Sequence, residues 1–296
     1  MKELQCIWPA QAQLGEGVMW HPLEQAVYWL DIIGSNLHRY KVNDAGNEQR
    51  NTWHYPGSIS AIAMETDGKL IATFSDGIYR LDLKYHTKKL LQAVESEIAN
   101  NRFNDGAGDM QGNFWFGSMD NTQLTNSGRF YCMSNQGNLS SIDEIKPVCI
   151  TNGPAFSGDG KWGYFTDTLG KKIYRASFKP SGIKTIELHI NLDNYDSFPD
   201  GMTVDNEGYL WICHFAGARI SRFTPSGQLD KVIPLPVPNI TKCAFGGPKL
   251  NTLYITTATE GMSEQGLKDF PLAGGLFAIE LDHQGFITPG VAAFTQ

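Results

Sequence analysis

Long apolar runs are missing from this chain of 296 residues, and so is any cluster of basic ones. The N-terminus, MKELQCIWPAQAQ, has no apolar stretch after a basic start. A signal peptide and a membrane-spanning helix, which needs about 20 consecutive apolar residues, are therefore not expected. Lys and Arg number 24 against 31 Asp and Glu, a net charge of −7, with no Lys/Arg run to track a phosphate backbone. Nucleic acid and anionic membrane surfaces are poor partners for such a surface. There is no CxxC pair, no HExxH and no closely spaced histidine pair, which excludes the usual structural and nitrogen-rich zinc sites. The five cysteines (Cys6, Cys132, Cys149, Cys213 and Cys243) are odd in number and scattered. They read as small core residues in a reducing, cytoplasmic setting. No linker rich in Pro, Gly and Ser divides the chain, so residues 1–296 are expected to form one domain.

What is present is a repeat. Gly68, Gly112, Gly160 and Gly208 each follow a polar residue and introduce a short apolar run: KLIATF, NFWFGSM, KWGYFTD and YLWICHF. Two further copies, EQAVYWLDI (24–32) and LNTLYITTA (250–258), lack the glycine. Each run is followed by a second: NLHRYKV, GIYRLDL, GRFYCMS, KIYRASF, RISRFTP and GLFAIEL. Short β-branched and aromatic runs joined by Asp-Gly-type turns are hairpin signals. A strand before each turn and a variable fourth strand give four strands in roughly 40 to 48 residues, the arithmetic of a propeller blade. The fold expected is an all-β, six-bladed β-propeller with four antiparallel strands per blade. The leading strand KELQCIWP supplies the outer strand of the last blade, so that both chain ends close the ring and no edge is left open.

Eight residues before each turn stands a polar residue: Glu16, Ser60, Asn104, Asn152, Asp200 and Thr241, at intervals of 44, 44, 48, 48 and 41. In a closed ring, this register would aim all six at one axis. Glu16, Asn152 and Asp200 together suit a hard or borderline divalent cation, namely calcium, magnesium, manganese, iron(II) or zinc, with positions left open for water or substrate. Each also has a plainer reading. Asn152-Gly153 and Asp200-Gly201 are common turn dipeptides, and Glu16 between two glycines could sit in a surface loop.

The stretch NRFNDGAGDMQGNFWFGSMD (101–120) resembles the senescence-marker protein/gluconolactonase family, also called regucalcin-like. LGEGVMWHP, NGPAFSGDGKWGYFTDT, PDGMTVDNEGYLWICHF, TKCAFGG and GGLFAIEL resemble it in the same order, and the match runs from about residue 13 to 285. The resemblance implies a six-bladed propeller that hydrolyses a sugar lactone, with one divalent metal on Glu16, Asn152 and Asp200. It further implies that Arg102 and Asn104 hold the lactone above the metal. Arg102 has a second reading, a salt bridge to Asp105 or Asp109. Asp200 is the candidate catalytic base, since a carboxylate at the metal's edge can take a proton from the attacking water. Where the family carries acidic substrate-binding residues, this chain reads Asp120-Asn121-Thr122, with Thr122 at the spacing of the family's glutamate. All three are candidate substrate contacts. Phe114, Trp115 and Phe116 alternate within a strand and read as core rather than as sugar platforms. Two other functions share the fold: a calcium-binding propeller without turnover, and a paraoxonase-like esterase. The latter would favour a histidine in the register, and the nearest, His214, falls outside it. The partner expected is the small-molecule lactone, on a monomer or a weak homo-oligomer.

Overall fold

The glycine turns do close hairpins. In the computed structural model, which describes residues 3–42, 45–179 and 182–292, Gly68, Gly112, Gly160 and Gly208 have φ between +68° and +84°. That left-handed conformation is open to glycine without a Cβ penalty. Six four-stranded antiparallel sheets result. The first comprises β2 (Gly15–His21), β3 (Ala26–Asp31), β4 (Asn36–Val42) and β5 (Glu48–His54). The second comprises β6 (Ile62–Met64), β7 (Leu70–Phe74), β8 (Gly77–Asp82) and β9 (Thr87–Ala93). In the third are β10 (Asn101–Gly108), β11 (Phe114–Asp120), β12 (Phe130–Met133) and β13 (Leu139–Ser141). The fourth holds β14 (Thr151–Phe156), β15 (Trp162–Asp167), β16 (Lys172–Lys179) and β17 (Gly182–Asn191). The fifth holds β18 (Phe198–Val204), β19 (Leu210–Phe215), β20 (Arg219–Phe223) and β21 (Leu229–Pro234). The sixth is β22 (Ile240–Gly246), β23 (Thr252–Thr257), β24 (Leu276–Glu280) and the N-terminal β1 (Gln5–Trp8), which pairs with β24 as the sequence predicts. This is the blade construction of a six-bladed β-propeller.

Three blades fall in each of two compact units, Met1–Pro56 with Asp196–Ile287 and Gly57–Tyr195 with Thr288–Gln296. In the first unit, Trp211, Cys213, Ile240, Cys243, Leu253 and Phe277 form one buried cluster. In the second, Phe103, Phe114 and Phe116 are fully buried with Ala61, Ile71 and Ile78, while Trp115 packs with Phe130, Phe156 and Phe165. The aromatic run of residues 114–116 is thus core on both faces of β11, as its alternation predicts.

One helix occurs among the described residues, the six-residue α1 (Glu264–Asp269), with Ser263 Oγ accepting from Gly266 N at its start. None is long and apolar enough to cross a membrane.

Two turns are built by a buried aspartate. Asp109 accepts from Gln111 N (2.8 Å), Asn113 N (2.9 Å) and the Trp115 indole (2.7 Å). Asp205 accepts from Glu207 N, Tyr209 N and the Trp211 indole at 3.0, 3.0 and 2.9 Å. The spacing D-x-x-G-x-x-W at 109–115 and 205–211 carries this device, which ties each hairpin turn to the core tryptophan on the strand that follows.

Candidate functional site

Each polar register residue sits at a defect in its ladder. In five sheets, the first strand carries one more residue than its neighbour at this point: Glu16 to Met19, Phe103 to Gly106, Asn152 to Ala155, Pro199 to Met202 and Ile240 to Cys243 each face two steps of the next strand. In the second sheet, Ser60 N donates to Thr73 O while Thr73 N donates to Ala61 O. Such a bulge bends the strand and re-aims a side chain. Asn152 and Asp200 therefore lie in strands, not in turns, and all six register residues are buried.

Within the unit containing Gly57–Tyr195, the bulges bring three predicted residues together. Arg102 Nη1 donates to Asn104 Oδ1 (2.7 Å) and to Phe103 O (2.9 Å). Asn104 Nδ2 donates to Asn152 Oδ1 (3.0 Å) and to Thr151 O (2.8 Å). Asn152 Nδ2 donates in turn to Thr168 Oγ1 at 3.0 Å. The Asn152 amide is thereby locked with its nitrogen on Thr168, and its oxygen, with two lone pairs, has spent one on Asn104. Asp105, fully buried, accepts from Gly106 N and from Gly153 N, and so ties the two bulges to each other. Asp105 and Asp109 are both engaged by backbone donors, and the guanidinium of Arg102 is turned toward Asn104.

Within the other unit, Glu16 and Asp200 are 3% and 5% exposed. Glu16 Oε2 accepts from Gly17 N at 3.0 Å. Burial above all pushes the Cys213 thiol well above its ordinary pKa, and its contact with Cys243 and the charges of Asp200 and Glu16 push it further. Both carboxylates are thus within electrostatic reach of one thiol on β19. Thr241 Oγ1 donates to the Gly15 carbonyl beside Glu16 and lies 2.9 Å from the Thr256 hydroxyl. Two features here escaped the sequence reading, a cysteine pair and a buried lysine. Cys213 and Cys243 lie 30 positions apart in sequence yet meet in the core. Lys242 is buried, and its Cβ and Cγ lie 2.8 Å from where a Cβ on Gly201 would be. Position 201, beside Asp200, therefore accepts only glycine without displacement. A buried lysine directly after a register residue was the available signal, since lysine is rarely buried unless paired.

The three candidate substrate contacts after β11 separate. Asp120 is 1% exposed, and its carboxylate accepts from Thr122 N and Oγ1, Leu124 N, and Thr125 N and Oγ1. A carboxylate has about four lone-pair sites, so Asp120 is fully engaged by its own turn and holds the loop after β11. Asn121 and Thr122 are exposed. Hydrogen bonds from Thr122 and then Thr125 hold the Asp120 carboxyl far below its ordinary value of 3.8. With the folded value depressed, this contribution to stability is complete above about pH 5 and is lost as pH falls from the unfolded value toward the folded one. The difference in urea midpoint between wild type and Asp120→Asn should hold steady from pH 6 to about pH 5 and shrink from there to pH 2. A constant difference would contradict the assignment.

Asp205, Glu207 and His283 present ligand-type atoms within 4.8 Å of one another. The Arg222 guanidinium already sits among them, 2.7 Å from Asp205 Oδ2 and also bonded to Glu207, while His283 Nδ1 is 3.4 Å from Glu207 Oε2. With a cation of the chain in place, this cluster is an ion-pair network.

The family described as SMP-30/Gluconolactonase/LRE-like region matches residues 14–259. A 6-deoxy-6-sulfogluconolactonase from Pseudomonas putida is 32% identical over 97% of this chain and 97% of its own. An L-arabinolactonase from Azospirillum brasilense is 32% identical over 93% of this chain and 91% of its own. Among solved structures, a calcium-binding regucalcin from Agrobacterium tumefaciens superposes with a TM-score of 0.89 at 25% identity, covering 97% of this chain and 96% of the other. A regular blade repeat, the bulged polar register and this match over most of the chain agree, and the chain belongs to the SMP-30/gluconolactonase/LRE-like family.

Proposed function

We propose that this protein hydrolyses a five- or six-carbon sugar lactone to the aldonic acid, with one divalent cation held by Glu16, Asn152 and Asp200. The observation that carries the reading is the Arg102–Asn104–Asn152 hydrogen-bond chain, which links the pair suited to sugar hydroxyls directly to a proposed cation ligand. Relatives named as lactonases of two different sugar acids support it.

Two buried carboxylates and an oriented amide oxygen fit calcium, magnesium, manganese, iron(II) or zinc. A bound ion would act as a Lewis acid on the lactone carbonyl and acidify a water. The chain supplies the rest. Arg102 presents a planar fork of donors to ring hydroxyls, and Asn104 fixes that fork by accepting from it. Asp200 takes the proton from the attacking water as its oxygen bonds to the carbonyl carbon. As the ring C–O bond breaks, the proton passes to the leaving ring oxygen. Asn121 and Thr122, exposed on the loop after β11, are the remaining candidates for hydroxyl contacts that select the sugar. Five unpaired cysteines suit a reducing, cytoplasmic setting.

One observation favours a second reading. The superposing regucalcin is described as a calcium-binding protein, so cation binding without turnover must be distinguished. Proton release should be followed with glucono-1,5-lactone, arabinono-1,4-lactone, phenyl acetate and paraoxon, each with the five cations in turn. Turnover of the sugar lactones above the other two substrates is expected. Calcium binding with no turnover would establish the second reading, and turnover of the aryl ester or phosphotriester alone would point to the paraoxonase-like one.

A further inference from the structure

Four polar side chains in the unit containing Gly57–Tyr195 form a hydrogen-bond chain that can run in only one sense. Arg102 is its fixed end, because a guanidinium carries donors and no acceptor. It donates through Nη1 to Asn104 Oδ1 at 2.7 Å. On the opposite side of the same amide, the Thr151 carbonyl, which can only accept, takes one N–H of Asn104 Nδ2 at 2.8 Å. An amide held between an obligate donor and an obligate acceptor has one satisfied orientation. The second N–H of Asn104 is therefore turned to Asn152, where it meets Oδ1 at 3.0 Å. Both nitrogen protons of Asn104 are thus committed within the protein.

Asn152 takes its own sense from that contact. Its other bond, from Nδ2 to Thr168 Oγ1 at 3.0 Å, does not impose one, because a hydroxyl can donate as well as accept and would bond either end of the amide. Turned over, Asn152 would set its N–H groups against the Asn104 nitrogen. Asn104 and Asn152 are 5% and 3% exposed, and donors left facing each other at such depth would go unsatisfied, which folded proteins avoid.

Resting on the cation-dependent lactonase reading above, we infer that Asn104 is a positioning residue for the cation, which holds Asn152 with its amide oxygen toward Asn104 and its nitrogen toward Thr168. The same side chain fixes Arg102 through its own oxygen, so one amide orders both the arginine proposed to hold the sugar and the ligand proposed to hold the ion. Any contact of Asn104 with a sugar hydroxyl has to use that oxygen, since both of its donors are spent.

The test is a titration of manganese(II) into chelator-stripped wild type, Asn104→Leu and Thr168→Val without any sugar present, with the free ion read by electron paramagnetic resonance. Leucine keeps the shape of Asn104 and removes its bonds. Asn104→Leu should weaken manganese binding about tenfold or more, the usual effect of losing an outer-shell partner of a ligand. Thr168→Val should cost no more than about threefold, the worth of one buried hydrogen bond, because Asn104 still sets the amide. Asn104→Ala should repeat the larger loss if the leucine variant folds poorly. Unchanged manganese affinity in both Asn104 variants overturns the inference and leaves Asn104 to the sugar alone, with the lactonase reading intact. Equal losses in the Asn104 and Thr168 variants overturn it as well, since any bond to Asn152 would then serve. A wild type that binds neither manganese nor any of the other four cations overturns both.

Discussion

Replacing Asp200 by alanine is expected to lower kcat/KM for a sugar lactone by about 10²–10³-fold or more and to release the divalent cation, while the protein still folds. The magnitude is what loss of one preorganised electrostatic stabiliser costs at a developing oxyanion, and Asp200 is proposed to act as proton acceptor besides. The fold should survive because the carboxylate belongs to a bulge, not to the regular ladder of β18, whose pairs resume at Met202 and Ile212. Asn152→Ala should behave similarly and more mildly. It removes the proposed neutral ligand and takes from Asn104 Nδ2 one of its two acceptors and from Thr168 Oγ1 its donor. Arg102 would then lose the fixed orientation of Asn104, so KM should rise as kcat falls. Proton-release kinetics, elemental analysis of bound metal and circular dichroism of each variant provide the check. Full activity in Asp200→Ala would remove the proposed mechanism.

Replacing Arg222 by methionine should destabilise the protein by about 3–5 kcal/mol without changing kcat/KM. Arg222 is 4% exposed, donates through Nε to Asp205 Oδ2 (2.9 Å) and through Nη1 to Asp230 (2.8 Å), and also bonds Glu207. Its guanidinium lies 3.6 Å from the centre of the Tyr209 ring. Asp205 is 1% exposed, and without the arginine its charge would stay buried with only neutral donors. Breaking such a pair from one side is far more costly than the pair is worth when intact. Lysine should rescue only in part, because one ammonium cannot reproduce the planar fork toward three carboxylates. Urea denaturation measures the loss, and a change below about 1 kcal/mol would show that Asp205 finds another partner or takes up a proton.

Much of this architecture is legible in the residues because its signals are local. The four turn glycines, the alternation through FWF and the D-x-x-G-x-x-W spacing each impose their own structure within a few positions. The N-terminal strand was legible for a different reason, since five repeats begin and end within themselves and the sixth lacks a fourth strand. What escaped has physical causes. The outer strand β5 is exposed at nearly every position, so no apolar pattern marks it, and it is held by backbone pairing with β4 and by side-chain bonds such as Tyr40 to Glu48 and His38 to Thr52. Helix α1 has no buried residue to create a 3.6-residue period and rests on its Ser263 cap. The parallel bridge from Val291 to Glu65 joins residues 226 positions apart, which no local signal encodes.

At the candidate site, the register marked the residue types, but their roles depend on contacts made across sheets. Asp120 looks like any acidic loop residue until its five donors are counted. Asn104 is distinguished from Ser60 by reaching the Thr151 carbonyl on the next sheet. Cys213, adjacent to a catalytic candidate's charge and to Cys243, had no sequence neighbour to reveal the pairing.

The most direct measurement is the rate of proton release from a sugar lactone by one preparation before chelation, after it, and during stepwise return of the metal. Activity should fall to the uncatalysed rate on chelation and recover in proportion to added cation, saturating at one ion per chain. Undiminished hydrolysis by the fully chelated protein would contradict the account.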